Sequence, residues 1–294
     1  MPKMRPSRFA LVFAGLLIPA AVGAGCSSSK PASSSTTSSS APASSSSSTP
    51  SATLPAKYAT SINVALDASY PPDEFVQNGQ IVGFDVDLID ALAQQMGTHA
   101  KLTNATFAGI IPGLLSGKFD IGDSSFTDSK AREQQVDFVT YFSSGEGFYE
   151  NANSSATFDG LASLCGHTVS VESGTTEETD AKAQAGKCHV TVLTFNDQNQ
   201  ANLAVSTGRA QVGFADSQVA GYIVKQSNGQ FKLVGQPFGT APYGLAVPKN
   251  SGLAQPLLAG LQKLMSDGTY TQILTKWGVQ TGAITNPQIN GATS

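Results

Sequence analysis

The sequence predicts an α/β protein built as two lobes, and three observations lead there. Between about Lys57 and about Ala283, short runs with apolar residues at every second position alternate with runs in which they recur every three or four. A stretch of about 225 residues in this pattern suits two lobes better than one. Finally, one segment is echoed. Ser116-Gly117-Lys118-Phe119-Asp120-Ile121-Gly122-Asp123 resembles Ser206 to Asp216: a helix end, a Gly, a cation, a short strand and an Asp at the strand's carboxyl end. Ligands of open α/β sheets bind beyond the carboxyl ends of strands, so Asp123 and Asp216 are both placed near a possible cleft.

The elements follow in order. Ile62, Val64 and Leu66 alternate as a strand. Asp85 is expected to cap a helix with Leu88, Ile89, Leu92 and Met96 on one face, closed by Gly97. Ile110, Ile111, Leu114 and Leu115 mark a second helix, stopped by Gly117, and 119–121 reads as a brief strand. Ser129 stands in N-cap position before a helix over 129–136. A second series follows Cys165: strand 168–171, helix 177–185, strand 190–195, a helix from Asp197 to Gly208, strand 211–215 and a helix over 217–227. Strand 243–247 comes next. Leu253, Leu257, Leu258, Leu261, Leu264 and Met265 mark one closing helix, and Tyr270, Ile273, Leu274 and Trp277 the other.

The ends of the chain point to export. Lys3, Arg5 and Arg8 precede an apolar run from Phe9 to Val22, too short for a stable membrane span. Gly23-Ala24-Gly25-Cys26 then resembles a lipoprotein signal, with residues 1–25 removed and lipid placed on Cys26; a plain cleavable signal is the alternative. Residues 27–52 hold 15 Ser and one charge, Lys30. Such a segment buries too little apolar surface to order itself, so 26–56 reads as a lipidated Cys and a disordered tether, with a span of roughly 30 Å. Ser27-Ser28-Ser29-Lys30 matches S-x-x-K, but a tether gives that motif no fixed geometry. Loss of Lys3, Arg5 and Arg8 leaves 14 basic against 21 acidic residues, net −7. With no basic run, nucleic acid is excluded as a partner. The anchor is then the expected membrane contact.

Export leaves Cys165 and Cys188 as a pair expected to oxidise to a disulfide. Cys165-x-His167 with Cys188-His189 offers zinc as the alternative.

The stretch from Gly113 to Phe138 carries the clearest chemistry. Ser124, Ser125 and Thr127 supply hydroxyls, and Arg132 follows the capped Ser129. Hydroxyls, helix N–H groups and a guanidinium in one segment suit a small carboxylate; a capped surface helix is the plainer reading.

Motifs spread along the ordered part resemble the solute-binding proteins of ABC importers, polar amino-acid type (family 3). They are Tyr70-Pro71-Pro72 with 83–88, the run 107–114, Ser125 to Arg132, 136–138, Ser173-Gly174-Thr175-Thr176, Gly208-Arg209 with Asp216, and 268–270 with 276–278. Asp73 and Lys130-Ala131 depart from the common pattern. The resemblance implies a type II periplasmic-binding-protein-like fold with two lobes joined by two crossing strands. Lobe one would be 57–146 plus 247–283, lobe two 147–246, and 284–294 a C-terminal tail. It implies that Arg132 pairs with an amino acid's α-carboxylate, helped by Ser124, Ser125 and Thr127, and that Asp216 holds the α-ammonium. Thr175 and Thr176 would contribute from lobe two, Tyr70 and Phe107 would stack on the side chain, and Asp67 would face its pocket. A guanidinium grips a carboxylate with two parallel hydrogen bonds. A polar or cationic amino acid passed to an ABC permease by a monomeric, anchored receptor is the expectation, with no cofactor.

Two other classes stay open. The same fold carries exported enzymes such as cyclic-acid dehydratases, for which Glu172, Glu177 and Asp123 are the nearest acid or base candidates, yet no nucleophile–His–acid set is visible. A sensing module for a signalling partner is the third reading.

Overall fold

A computed structural model describes residues 53–293; the export signal, Cys26 and most of the tether lie outside the described residues. Eleven strands and eight α-helices are built on this part. In chain order they are β1 (Ile62–Leu66), β2 (Ser69–Tyr70), β3 (Glu74–Gln77), β4 (Gln80–Val82), α1 (Phe84–Gln95), β5 (Ala100–Asn104), α2 (Phe107–Leu115), β6 (Ile121–Gly122), α3 (Lys130–Glu133) and β7 (Val136–Asn151). Then come β8 (Thr168–Glu172), α4 (Thr176–Ala185), β9 (Thr191–Phe195), α5 (Gln198–Ser206), β10 (Val212–Asp216), α6 (Ser217–Gln226), β11 (Phe231–Pro248), α7 (Ala254–Ser266) and α8 (Thr269–Trp277).

Eight strands form one mixed sheet in the order β5-β1-β6-β11-β7-β10-β8-β9, and β2, β3 and β4 make a small antiparallel sheet beside it. β1 lies parallel between β5 and β6, while β8 lies parallel between β9 and β10. These two parallel halves are stitched together by β7 and β11, which pair antiparallel from Phe231↔Asn151 to Pro248↔Val136. The pairing breaks register around Val234, Phe238 and Tyr243, as long strands must when they pass from one twisted half to another.

Each half buries both faces of its strands, which explains the near-continuous apolar runs there. In the first half, Ile62 and Val64 face α1, α7 and α8 through Leu88, Leu92, Leu257, Leu261 and Leu274. Ala65 faces the other way, toward α2 through Ile110, Leu114 and Phe119. In the second half, Val169, Val171, Val212 and Phe214 pack with Phe148, Phe158 and Leu164 on one face, and Ala215 packs with Ala204, Val219 and Ala220 on the other. Gly113 of α2 meets the ring of Phe119 where a Cβ would stand 2.4 Å from it, so only glycine lets that ring, just before β6, pack against the helix.

Several expectations shift. Asp85 does not cap α1; Gly83 occupies the N-cap position, and Asp85 is buried in the first turn, accepting from the Tyr141 hydroxyl at 2.8 Å and the Ser125 N–H at 2.9 Å. Its carboxyl is drawn into tertiary contacts that the helix pattern cannot reveal. The helix expected over 129–136 ends at Glu133, because Val136 already starts β7. The strand near 119–121 is Ile121–Gly122. Residues 284–293 lie along the first half: the Gly291 N–H donates to Asp128 Oδ2 at 2.7 Å, and Asn290 Oδ1 accepts from Phe138 N–H at 2.9 Å.

Cys165 and Cys188 are joined as a disulfide, which takes both thiols away from the zinc alternative. The bond closes a loop with a sequence separation of 23 residues. The Cys165→Ser/Cys188→Ser double variant is expected to lose about 3 kcal/mol in urea unfolding, the chain-entropy value for such a loop. Equal midpoints and slopes would show that the bond contributes nothing.

Candidate functional site

Between the two halves lies a narrow cavity. It is lined by Asp67, Tyr70, Phe107, Ser124, Ser125, Thr127, Arg132, Thr175, Thr176 and Asp216, the ten positions singled out in the sequence, together with Glu172 and Glu177. The fold brings them together because strands in both halves end here. Asp67 follows β1, Ser124 and Ser125 follow β6, Glu172 ends β8 and Asp216 ends β10.

Arg132 projects from α3, whose N-cap Ser129 accepts from the Arg132 N–H at 3.4 Å. Its guanidinium donates through Nη1 to the Thr127 carbonyl at 2.8 Å and through Nη2 to the Gly174 carbonyl of the other half at 3.0 Å. It also lies 5.4 Å from the ring centres of Phe107 and Phe126, which stack on each other at 4.4 Å. Two anchoring bonds and two aromatic faces fix the plane of the fork while leaving N–H groups for a ligand. Burial lowers the pKa of Arg132, opposed by the charges of Glu177 and Asp216; the group stays a cation. Gly174 permits this contact: its φ is +85°, and a Cβ there would stand 3.0 Å from the Ala108 backbone across the cleft.

Asp216 receives the Tyr70 hydroxyl on Oδ2 at 2.7 Å, and its own N–H donates to the same hydroxyl at 3.1 Å. It precedes α6 but makes no side-chain cap bond there. Burial pushes its carboxyl up to about 6, with hydrogen bonds from Tyr243 and Tyr70 and the Arg132 charge holding it from rising further. Asp67 Oδ2 accepts the Phe107 N–H at 3.0 Å, so it caps α2 while facing the cavity.

The hydroxyls are less available than their chemistry suggests. Ser124 accepts from the Asp67 N–H at 2.9 Å and donates to Glu74 Oε1 at 2.7 Å. Ser125, at φ +49°, donates to Asp73 Oδ2 at 2.8 Å. Thr175 caps α4, accepting from Glu178 N–H at 3.1 Å and donating to the Glu172 carbonyl at 2.8 Å. The Thr176 hydroxyl donates to Glu177 Oε2 at 3.2 Å. Among the described residues, Thr127 is the hydroxyl of the set with no such engagement.

Asp123 is not in the cleft. It is fully buried, and neither oxygen has a donor among the described residues. It joins Asp73, Glu74 and Asp85 in an acid cluster behind the Ser124–Ser125 wall, where burial first and neighbouring carboxylates second raise its pKa. Nothing in the spacing of these acids along the chain points to this cluster. Glu172 and Glu177, in the cavity wall, carry a signal in the sequence, one as the strand-end acid before Ser173-Gly174, the other as a first-turn residue of α4; from sequence they read as acid–base candidates and not as ligand contacts.

Four further contacts or near contacts cross the cleft or flank it. Gln218 Nε2 donates to Asp73 Oδ2 at 2.7 Å and to the Tyr243 hydroxyl at 2.9 Å, and the Gln198 N–H donates to Ser69 Oγ at 3.1 Å. Ser144 donates to Gln218 Oε1. No helix among the described residues is long and apolar enough to cross a membrane.

Comparison with known proteins places this cavity in context. The model of the bacterial extracellular solute-binding proteins, family 3, matches residues 62–280. An arginine-binding protein of Corynebacterium glutamicum is 33% identical over 229 residues, 75% of each chain. Among solved structures, an ancestral arginine-binding protein bound to arginine superposes with a TM-score of 0.70 at 35% identity, covering 74% of this chain and 97% of the other. An ancestral amino-acid-binding protein described as a precursor of cyclohexadienyl dehydratase gives 0.69 at 34% identity, covering 75% and 96%.

Proposed function

We propose a function that proceeds from one fact: the chain belongs to the bacterial extracellular solute-binding proteins of family 3. It captures a free cationic amino acid, arginine foremost, outside the cell and delivers it to an ABC permease. One observation carries this reading. A single cavity holds one guanidinium, Arg132, and four carboxyls, Asp67, Glu172, Glu177 and Asp216. An amino acid placed there meets Arg132 with its α-carboxylate and Asp216 with its α-ammonium. Asp67, capping α2 at the far wall, faces a positive side chain. The surplus of acid over base favours a ligand with more positive than negative charge.

Arg132 and Asp216 belong to different halves of the sheet, so both ends of the ligand are satisfied together only when the halves meet. The ligand therefore stabilises the closed state by its differential affinity, which is what drives closure. Lobe one is read as 57–146 plus 247–283 and lobe two as 147–246, with β7 and β11 as the crossing strands. Cys26 and the Ser-rich tether anchor this monomer to the outer face of the cytoplasmic membrane.

Binding rather than catalysis fits the site. The relatives are named as binding proteins, and the dehydratase precursor is itself described as an amino-acid-binding protein. No His or Cys stands beside Glu172 and Glu177 in the cavity lining, and the Thr176 hydroxyl next to Glu177 has no base partnered by a third group.

Calorimetry of the mature chain against the twenty amino acids is the test. Arginine is expected to bind with a micromolar dissociation constant, roughly −8 kcal/mol. If no amino acid binds at millimolar concentration, the reading fails.

A further inference from the structure

Glu172 lines the cavity but stands outside the ligand-contact set that the sequence predicts. It is 2% exposed, its Oε1 has no donor among the described residues, and its side chain lies within hydrogen-bonding reach of Asp67. Asp67 is 4% exposed and already takes the Phe107 N–H on Oδ2. Two carboxyls in contact form a hydrogen bond only if they share a proton. We propose that Asp67 and Glu172 hold one proton between them in the unliganded protein. A cationic side chain entering the cavity displaces that proton to solvent, which makes Glu172 a specificity-determining residue for cations over neutral isosteres.

The surroundings support this and offer the proton no substitute. Asp197, before α5, and Glu177, in the first turn of α4, add negative charge; the Phe107 N–H adds a neutral donor. Tyr70 and Asp216, further along the wall, are bonded to each other, and Arg132 is held by the Thr127 and Gly174 carbonyls. Arg209 is engaged over the ring of Phe195, on the strand next to β8. Burial raises the affinity of both acids for a proton; the charge of Asp67 and its hydrogen bond add to this at Glu172, while the bond from Glu172 favours the ionised form of Asp67, so the shared proton rests on Glu172.

The balance is simple. The unliganded pair carries one proton and one negative charge. A guanidinium at the pair favours two ionised carboxylates, and the proton leaves to buffer as the cation arrives. No covalent bond changes. The proton competes with the ligand, so affinity for a cationic side chain rises with pH until the unliganded pair itself ionises. A neutral side chain of the same shape leaves the proton where it is.

This rests on the amino-acid reading above, and the experiment separates the two. The mature chain is titrated calorimetrically at pH 7 with L-arginine and with L-citrulline, its uncharged isostere, in phosphate, imidazole and Tris. The slope of observed enthalpy against buffer ionisation enthalpy counts protons. Arginine is expected to release about one proton more than citrulline, and the Glu172→Gln variant about one proton fewer on arginine than the native chain. Should citrulline not bind, the Glu172→Gln comparison carries the test. Carboxyl ¹³C shifts of the unliganded protein report the same proton directly, since the pair is expected to titrate as one neutral and one ionised group at pH 7. Binding of arginine with no proton released, or ¹³C shifts showing both carboxyls ionised, overturns the shared proton and leaves the amino-acid reading intact. Failure of arginine to bind, with ¹³C shifts still showing one proton on the pair, overturns the displacement and the amino-acid reading but not the pair itself.

Discussion

Arg132→Ala is expected to weaken arginine binding by about 3–5 kcal/mol, a loss of about a hundredfold to a few thousandfold, because it leaves a buried carboxylate with no counter-charge. The geometry makes the loss double. The same guanidinium that would pair with the ligand already donates to the Gly174 carbonyl in the other half at 3.0 Å, so its removal also takes away a contact that joins the halves. Arg132→Lys keeps the charge but not the planar fork or the stacking on Phe107 and Phe126, and should fall between, at roughly 2 kcal/mol of loss. Arg132 is partly buried but stands in a four-residue helix at the cleft, outside the hydrophobic cores of both halves, so both variants should unfold at nearly the native temperature. An unchanged dissociation constant for Arg132→Ala, measured on protein shown to be folded by circular dichroism, would clear this residue of the carboxylate.

The effect of such a variant depends on residues far apart in sequence meeting at one cavity, and this convergence was legible. Strand-end acids such as Asp216 and short hydroxyl runs such as Ser124 to Thr127 sit where open α/β sheets place ligands, and sequence shows strand ends well. The fold class followed from periodicity for the same reason. What sequence hid was the direction of each side chain. Ser125 reads as a donor for a ligand, yet its hydroxyl donates away from the cleft, to Asp73, because the residue turns through φ +49°. Asp85 reads as a cap, yet its carboxyl points inward to Tyr141. The small strands β2, β3 and β4 lack apolar alternation over enough residues to register. The 16 residues of β7 contain Ser143-Ser144-Gly145, small residues that break any apolar alternation, and no strand is assigned there from sequence. Pairing with β11 on one side and β10 on the other supplies the backbone hydrogen bonds that turn-forming residues would otherwise satisfy locally.

The acid cluster behind the cleft leads to the largest expected change in stability. Asp73, Glu74, Asp85 and Asp123 are each fully buried, and the donors that reach them, Ser124, Ser125, Tyr141 and Gln218, serve three of the four. Asp123 has none on either oxygen. Burial raises its pKa well above the ordinary carboxylate range, and the charges of Asp85, Asp90 and Asp73 raise it further. The sign follows. A group whose folded pKa is raised contributes its stability in full below the unfolded value, near pH 4, and loses it as pH rises toward the folded value. Keeping such a carboxyl protonated at pH 7 costs about 1.4 kcal/mol for each pH unit above its ordinary value, up to ~4 kcal/mol in all. Asp123→Asn keeps the shape and removes the proton requirement. It is therefore expected to stabilise the protein by about 2–4 kcal/mol at pH 7 and by almost nothing at pH 3, where the unfolded Asp is protonated as well. Urea unfolding of both chains at the two pH values decides the matter. The difference between the pH values is the diagnostic quantity, because a mere change in packing would shift both equally. A variant less stable at pH 7 than at pH 3, relative to the native chain, would mean that Asp123 is ionised and paired in the folded protein. The other three acids should follow the same rule more weakly, in the order in which donors are withdrawn from them, since each bond to an ionised oxygen lowers the pH at which the carboxylate is tolerated.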